Sequence, residues 1–191
     1  VAHPASERVA ADFHAAMRKL IADHLTYCRM CIMTLVANSR ITARNVACNL
    51  PTYLSTPPID VLRDRFKGYP AIVVAAGPSL RRNIDLLAEL QGKAVICTVQ
   101  TTFKMLLERG IKPDFVTSLD YHEISKRFFE NLPDQTTHLV AEPKVNWNVI
   151  DTYQGPISLL DNHFARLCVG PALAARGGLK AGATVAHLTF Y

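Results

Sequence analysis

Several familiar signatures are missing from this 191-residue chain, and each absence weakens a class of function. There is no G-x-G-x-x-G, the glycine fingerprint of a dinucleotide βαβ unit, and no G-x-x-x-x-G-K-[ST] phosphate loop. NAD-dependent hydride transfer and P-loop hydrolysis both lose ground accordingly. The lack of a G-x-S-x-G elbow argues against an α/β-hydrolase. Cysteine is scarce and odd in number. Cys28, Cys31, Cys48, Cys97 and Cys168 have no disulfide-framework spacing, which fits a reducing, cytoplasmic compartment. Cys28-Arg-Met-Cys31 is formally C-x-x-C, but it lies inside a helical pattern with no second ligand pair nearby. Packing is the expectation there, rather than metal or redox chemistry. No secretory leader is visible. The apolar run beside that motif, Met30 to Ala37, is interrupted by Thr34 and is too short for a bilayer, so no membrane span is expected. The net charge of +5 is spread out; of the two basic clusters, Arg81 and Arg82 have no aromatic between them and Arg63, Arg65 and Lys67 enclose only Phe66. Nucleic-acid binding is not expected, whereas a small anionic ligand is compatible.

What is present is a globular composition, 49% hydrophobic and 19% charged, able to bury a core. Residues 1–58 read as an N-terminal helical segment. A stripe through Val9, Phe13, Met17, Leu20, Leu25, Cys28 and Leu35 follows a plausible cap at Ser6, and Asn38-Ser39 should break it. Pro57-Pro58 marks a linker. Residues 59–191 read as an α/β, Rossmann-like domain: a mostly parallel sheet flanked by helices. Strands are expected over 71–76, 94–99, 115–119, 138–141 and 157–160, and helices over 80–90, 102–109, 123–132 and from about Gly182 onward. Strands alternating with helices imply parallel βαβ units. The chain opens at Val1 without methionine and stops at Tyr191 inside a helical pattern, so the native protein is expected to be longer, truncated here at its C-terminus.

The richest stretch is Ala71-Ile-Val-Val-Ala-Ala-Gly77-Pro78-Ser79-Leu80. Its unbroken apolar run predicts a central strand buried on both faces. The turn that follows should lie at the strand's carboxyl end, where open α/β sheets take ligands. Gly77 would admit a ligand close to the backbone, Pro78 suits a first helical position, and Ser79 adds a hydroxyl. Together they predict a phosphate-binding turn. Two further strand ends should meet the same crevice: Gln100-Thr101-Thr102 and Ser118-Leu119-Asp120-Tyr121-His122. Asp120 can accept from a ribose hydroxyl, hold Mg²⁺ on a diphosphate, or cap a helix. His122 can act as acid or base, or be a plain surface residue. Glu142-Pro143-Lys144 and Asp161-Asn162-His163 follow the fourth and fifth strands, and Gly182-Ala183-Thr184 opens the last helix.

Taken in order, the stretch from Phe66 to Leu80, Gly110-Ile-Lys-Pro-Asp114, Ser118-Leu-Asp120 and Gly182-Ala-Thr-Val-Ala186 resembles one superfamily. It contains bacterial flagellar motility accessory factors and MptE-like 6-hydroxymethylpterin diphosphokinases, and is related to bacterial sialyltransferases. The resemblance covers roughly residues 45–191. It implies a nucleotide or nucleotide-sugar over Gly77, Pro78 and Ser79, with Asp120 as a polar crevice residue and Thr184 near the ligand; Leu80, Gln100, Thr101 and Ser118, from the strand ends, complete the candidate binding set. Asp120 and His122 are then the candidate catalytic pair. The expected function is a nucleotide-dependent transferase, foremost a glycosyltransferase acting on a protein or glycan acceptor. The alternatives are an ATP- and Mg-dependent pterin diphosphokinase, with the metal at Asp120, and a non-catalytic nucleotide-binding or scaffold module. Gln100 departs from the asparagine of the sialyltransferase-like pattern.

Overall fold

The protein is described by a computed structural model over residues 4–170 and 184–190, the Ser6 side chain excepted. Its internal contacts group it into two units, Val1–Arg40 and Ile41–Tyr191.

Two helices open the chain, α1 (Pro4–Val9) and α2 (Ala11–Ser55). The backbone of Ser6 therefore lies within α1, whose start takes Pro4 instead. The break expected at Asn38-Ser39 does not occur. Asn38 Nδ2 donates to the Thr34 carbonyl (2.8 Å) and Ser39 Oγ to that of Val36 (2.8 Å). These side chains back-bond to their own helix instead of competing with it. Pro51 also lies inside α2, where it withholds an N–H from the preceding turn without ending the helix. In the first unit apolar side chains such as Phe13, Leu25, Met33 and Leu35 are exposed. One 18-residue window of α2 has a mean hydropathy of 1.3, long and apolar enough, by length and composition, to cross a membrane.

The second unit is built on five parallel strands: β1 (Ala71–Val74), β2 (Val95–Val99), β3 (Phe115–Ser118), β4 (His138–Ala141) and β5 (Ile157–Leu159). Their spatial order is β1-β2-β3-β4-β5, so every strand neighbours the next in sequence. The Rossmann-like α/β expectation holds, with one correction. Among the described residues β1 lies at the edge of the sheet and not at its centre. Val74 is buried, but Val73 on its other face is 38% exposed. A continuous apolar run signals burial on both faces only where other elements cover both faces of the sheet, and here the Val73 face is left partly open.

The helices between strands are short. α3 (Leu80–Asn83) and α4 (Leu86–Leu90) replace the single helix expected over 80–90. α5 (Gln100–Glu108) starts directly off β2. A 3₁₀ segment, Glu123–Phe128, stands where a longer helix was expected. Two helices that the sequence reading passed over are α6 (Trp147–Thr152) and α7 (His163–Val169), each opened by an asparagine cap. Asn146 accepts from Asn148 N–H, and Asn162 from the N–H groups of Phe164 and Ala165. α8 (Val185–Phe190) ends the described chain. The Gly182-Ala183 pair lies outside the described residues.

Alternation along the strands sorts the core by face. Val116, Leu139, Ala141 and Leu159 pack with Phe103 and Leu107 of α5, Val149 of α6, and Val46 and Tyr53 of α2. Val74 and Ile96 continue that layer against Ile84, Leu87 and Leu106. Val140 and Leu160 meet Leu188 of α8 and Ile59 in a separate cluster. Thr117 and Thr189 share a buried hydroxyl contact of 2.5 Å that ties α8 to β3.

Candidate functional site

All the strand-end segments singled out above leave the same edge of the parallel sheet, the edge where such folds bind ligands. Gly77 sits in the turn after β1, its N–H bonded back to Ala75 (2.8 Å). Ser79 is the cap residue of α3, but its side chain makes no cap bond, and Pro78 lies before the cap rather than in the first turn. With one turn of helix behind it, the segment offers local polar groups and little macrodipole. Leu80 packs against the Val74–Ile96 cluster.

The turn opens on a cavity of about 390 Å³ bounded by Ala76, Gly77, Leu80 and Arg81 on one side and by Thr101, Met105 and Arg109 of α5 on the other. The structure thus brings Gly77 and exposed Thr101 together and adds two guanidinium groups. A second hollow of about 320 Å³ lies along β1, past Ser79 and Asn83. A roomier one, about 540 Å³, belongs to the first unit and is lined mainly by apolar side chains such as Val9 and Phe13, with none of the strand-end residues.

Gln100 and Ser118 are both buried, and the Ser118 hydroxyl donates to Gln100 Oε1. This pair locks the carboxyl ends of β2 and β3 together. Thr102 is likewise buried, against Thr98 Oγ1 (2.7 Å). Thr184 accepts the His187 N–H (3.2 Å) at the start of α8. Burial, with Asp114 adding to it, pushes the Cys97 thiol up to about 11, so this strand cysteine stays protonated and unreactive.

Beyond β3, Asp120 Oδ1 accepts from both the backbone N–H (3.0 Å) and Nδ1 (2.9 Å) of His122. Beyond β4, the Glu142 carboxylate lies 2.6 Å from Lys144 Nζ and accepts from Asn162 Nδ2 (3.2 Å). Beyond β5, Asp161 pairs with Arg166 (3.2 Å).

Two residues absent from the sequence reading hold these loops. Asn45 of α2 donates to the carbonyls of Tyr121 (3.0 Å) and Lys144 (3.1 Å), and Asn49 to those of Pro143 (3.0 Å) and Val145 (2.9 Å). Both are buried and stand one helical turn apart. The available signal was their polarity among core positions Val46 and Tyr53 of the same helix.

This edge-loaded parallel sheet, with an unfingerprinted glycine turn after its first strand, defines a Rossmann-like domain. A sequence model of the family described as "6-hydroxymethylpterin diphosphokinase MptE-like" matches residues 44–191, and the chain belongs to that family. Over 73 residues it is 33% identical to the 6-hydroxymethyl-7,8-dihydropterin pyrophosphokinase of Methanocaldococcus jannaschii, a match that takes in 37% of this chain and 30% of that protein. Its fold is shared with the MAf glycosyltransferase of Magnetospirillum magneticum AMB-1, at a TM-score of 0.53 and 20% identity, over 64% of this chain and 21% of that one. The chain thus corresponds to less than a third of either relative.

Proposed function

We propose that this chain supplies the donor site of a nucleotide-dependent transferase, and that the donor is a nucleotide-sugar. The observation that carries the reading is the cavity between the Gly77 turn and α5, with Arg81 and Arg109 on its walls. Guanidinium groups match phosphate oxygens in geometry and charge. The side-chain-free Gly77, with Pro78, Ser79 and Leu80 around it, leaves the backbone open to a diphosphate, and Thr101 faces the same space. Buried Gln100 and Ser118 hold the neighbouring ends of β2 and β3 together. Transfer to a protein or glycan acceptor would rest on positioning and on stabilising the departing phosphate. Free thiols at all five cysteines accord with a cytoplasmic setting, where nucleotide donors are made. Family membership and the glycosyltransferase fold support a transferase in general.

A second reading is diphosphoryl transfer from ATP to a hydroxymethyl pterin, favoured by the archaeal pyrophosphokinase relative. That chemistry calls for Mg²⁺; Glu142 Oε2 and Asp161 Oδ1, buried without a hydrogen-bond partner, could help hold it, but each crevice carboxylate already faces a basic side chain. Asp120 Oδ1 is taken by His122, Glu142 by Lys144 and Asp161 by Arg166. No cluster of three metal-ligating side chains occurs among the described residues.

The deciding experiment is a melting-temperature screen with ATP and with CMP-, UDP- and GDP-sugars, each with and without Mg²⁺. A nucleotide-sugar is expected to stabilise without metal, by about 3 kcal/mol at a hundredfold excess over Kd. A response to ATP with Mg²⁺ alone selects the second reading. Silence across the screen overturns both and leaves a scaffold module.

A further inference from the structure

We infer that Asp120 and His122 form a catalytic dyad in which His122 Nε2 takes the proton of an acceptor hydroxyl; this rests on the transferase reading above. The observation is a mismatch between an exposed side chain and the backbone that carries it. The His122 side chain is 53% exposed, yet three successive carbonyls at its root are each held by a different group. Asp120 O accepts from Asn146 N–H (3.0 Å), Tyr121 O from Asn45 Nδ2 (3.0 Å), and His122 O from Ser125 Oγ (2.7 Å). These bonds tie the segment to α2, to the approach to α6 and to the 3₁₀ segment at once.

The ring is fixed as well as its root. Asp120 Oδ1 takes the His122 N–H, which closes a local turn, and also faces Nδ1 at 2.9 Å. The turn needs only the first of these bonds. An ionised carboxylate can only accept, so the ring nitrogen beside it carries the proton, and neutral His122 keeps its lone pair on Nε2. Tyr121 covers the ring, with centroids 4.2 Å apart and planes inclined by 35°. The loop that carries Nε2 leaves the same sheet edge as the Gly77 turn, two strands away, the edge where an acceptor would meet the donor.

In the step this permits, the acceptor hydroxyl gives its proton to Nε2 while its oxygen bonds the anomeric carbon of the sugar. The bond from that carbon to the nucleotide phosphate oxygen breaks, and its electron pair leaves with the phosphate. The imidazolium, held by Asp120, then returns its proton to solvent. The acceptor class is therefore an alcohol, a sugar or side-chain hydroxyl, and water can substitute slowly for it.

The test combines imidazole ¹⁵N NMR, nucleotide affinity and donor turnover, the last read as nucleotide released from the stabilising nucleotide-sugar. The wild-type His122 resonance, assigned by its loss in His122→Gln, is expected to show a protonated Nδ1 and a bare Nε2. His122→Gln should bind the nucleotide within about twofold of wild type but release it at least about 100-fold more slowly, the lower range of general-base effects. Asp120→Asn should keep the turn, retain binding and slow release by about tenfold or more, because the amide no longer stabilises the imidazolium charge. A proton on Nε2 in the wild type, or full turnover in His122→Gln, overturns the dyad. Failure of wild type to bind any nucleotide sinks the donor-site reading instead, and is recorded before either variant is made.

Discussion

A side chain at position 77 would meet little in the protein itself. A Cβ built there finds Ser79 Oγ at 3.6 Å as its nearest neighbour, an ordinary contact, and the residue lies outside the left-handed region. Gly77→Val should therefore fold and melt close to wild type. It should lose nucleotide binding by at least about tenfold, because the methyls occupy the space a diphosphate would use. Titration of both proteins with the stabilising nucleotide checks this, and equal affinities would make the turn purely structural. His138 makes a different residue-scale prediction. Burial lowers its pKa from 6.5 while its Nε2 meets Ser158 Oγ at 3.0 Å. The unfolded chain then binds the proton more readily than the folded one. Stability is full above the unfolded value and declines as pH falls below about 6.5. Melting temperatures across that range should drop less steeply for His138→Gln than for wild type.

At the scale of elements, sequence pattern located all five strands but misjudged the segments between them. Strand positions were legible because β-branched apolar runs are short, bounded and frequent here. β1 was placed in the middle of the sheet because its burial depends on neighbours that periodicity does not encode. The helix over 80–90 divides at Ile84-Asp85, and α6 and α7 hide behind Asn146 and Asn162, asparagines that also read as loop residues. Of the site, the strand-end segments were visible, but the pairing of Gln100 with Ser118 and of Asp120 with His122 required the register. The α2 asparagines showed only as polar residues among core positions, and their partners could not be read because backbone carbonyls have no sequence signature. They carry the element-scale prediction. Asn49→Ala removes two buried bonds and strands the Pro143 and Val145 carbonyls, costing about 1–3 kcal/mol in denaturant unfolding. A loss below about 0.5 kcal/mol would show that water or a shift of the loop replaces them.

For the whole molecule, the grouping into Val1–Arg40 and Ile41–Tyr191 cuts α2 between its exposed apolar part and the turns that carry Asn45, Val46, Asn49 and Tyr53. Every core cluster draws on residues after that cut. A chain starting at Ile41 should therefore keep its fold, with a cooperative melt and an unchanged response to nucleotide-sugar. Loss of the melting transition would show that the first unit is needed for folding. The first unit, with Phe13, Leu25, Met33 and Leu35 exposed, should be the source of any self-association, and sedimentation of the two chains side by side would reveal it.

The strand order also dictates a timetable. Because each strand pairs with the one made just before it, the sheet can grow from β1 to β5 as the polypeptide emerges, one βαβ crossover at a time, the most local pairing a parallel sheet allows. The bonds from Asn45 to Tyr121 and Lys144, from Asn49 to Pro143 and Val145, and from Ser158 to the Pro57 carbonyl bridge separations of 76 to 101 residues. The Asn45–Tyr121 bond can form once β3 is made, those to Pro143, Lys144 and Val145 once β4 is made, and that from Ser158 only with β5. The loops bearing Asp120 and Glu142 are therefore fastened to α2 one after the other, so that a half-finished sheet has strands but an unfinished crevice.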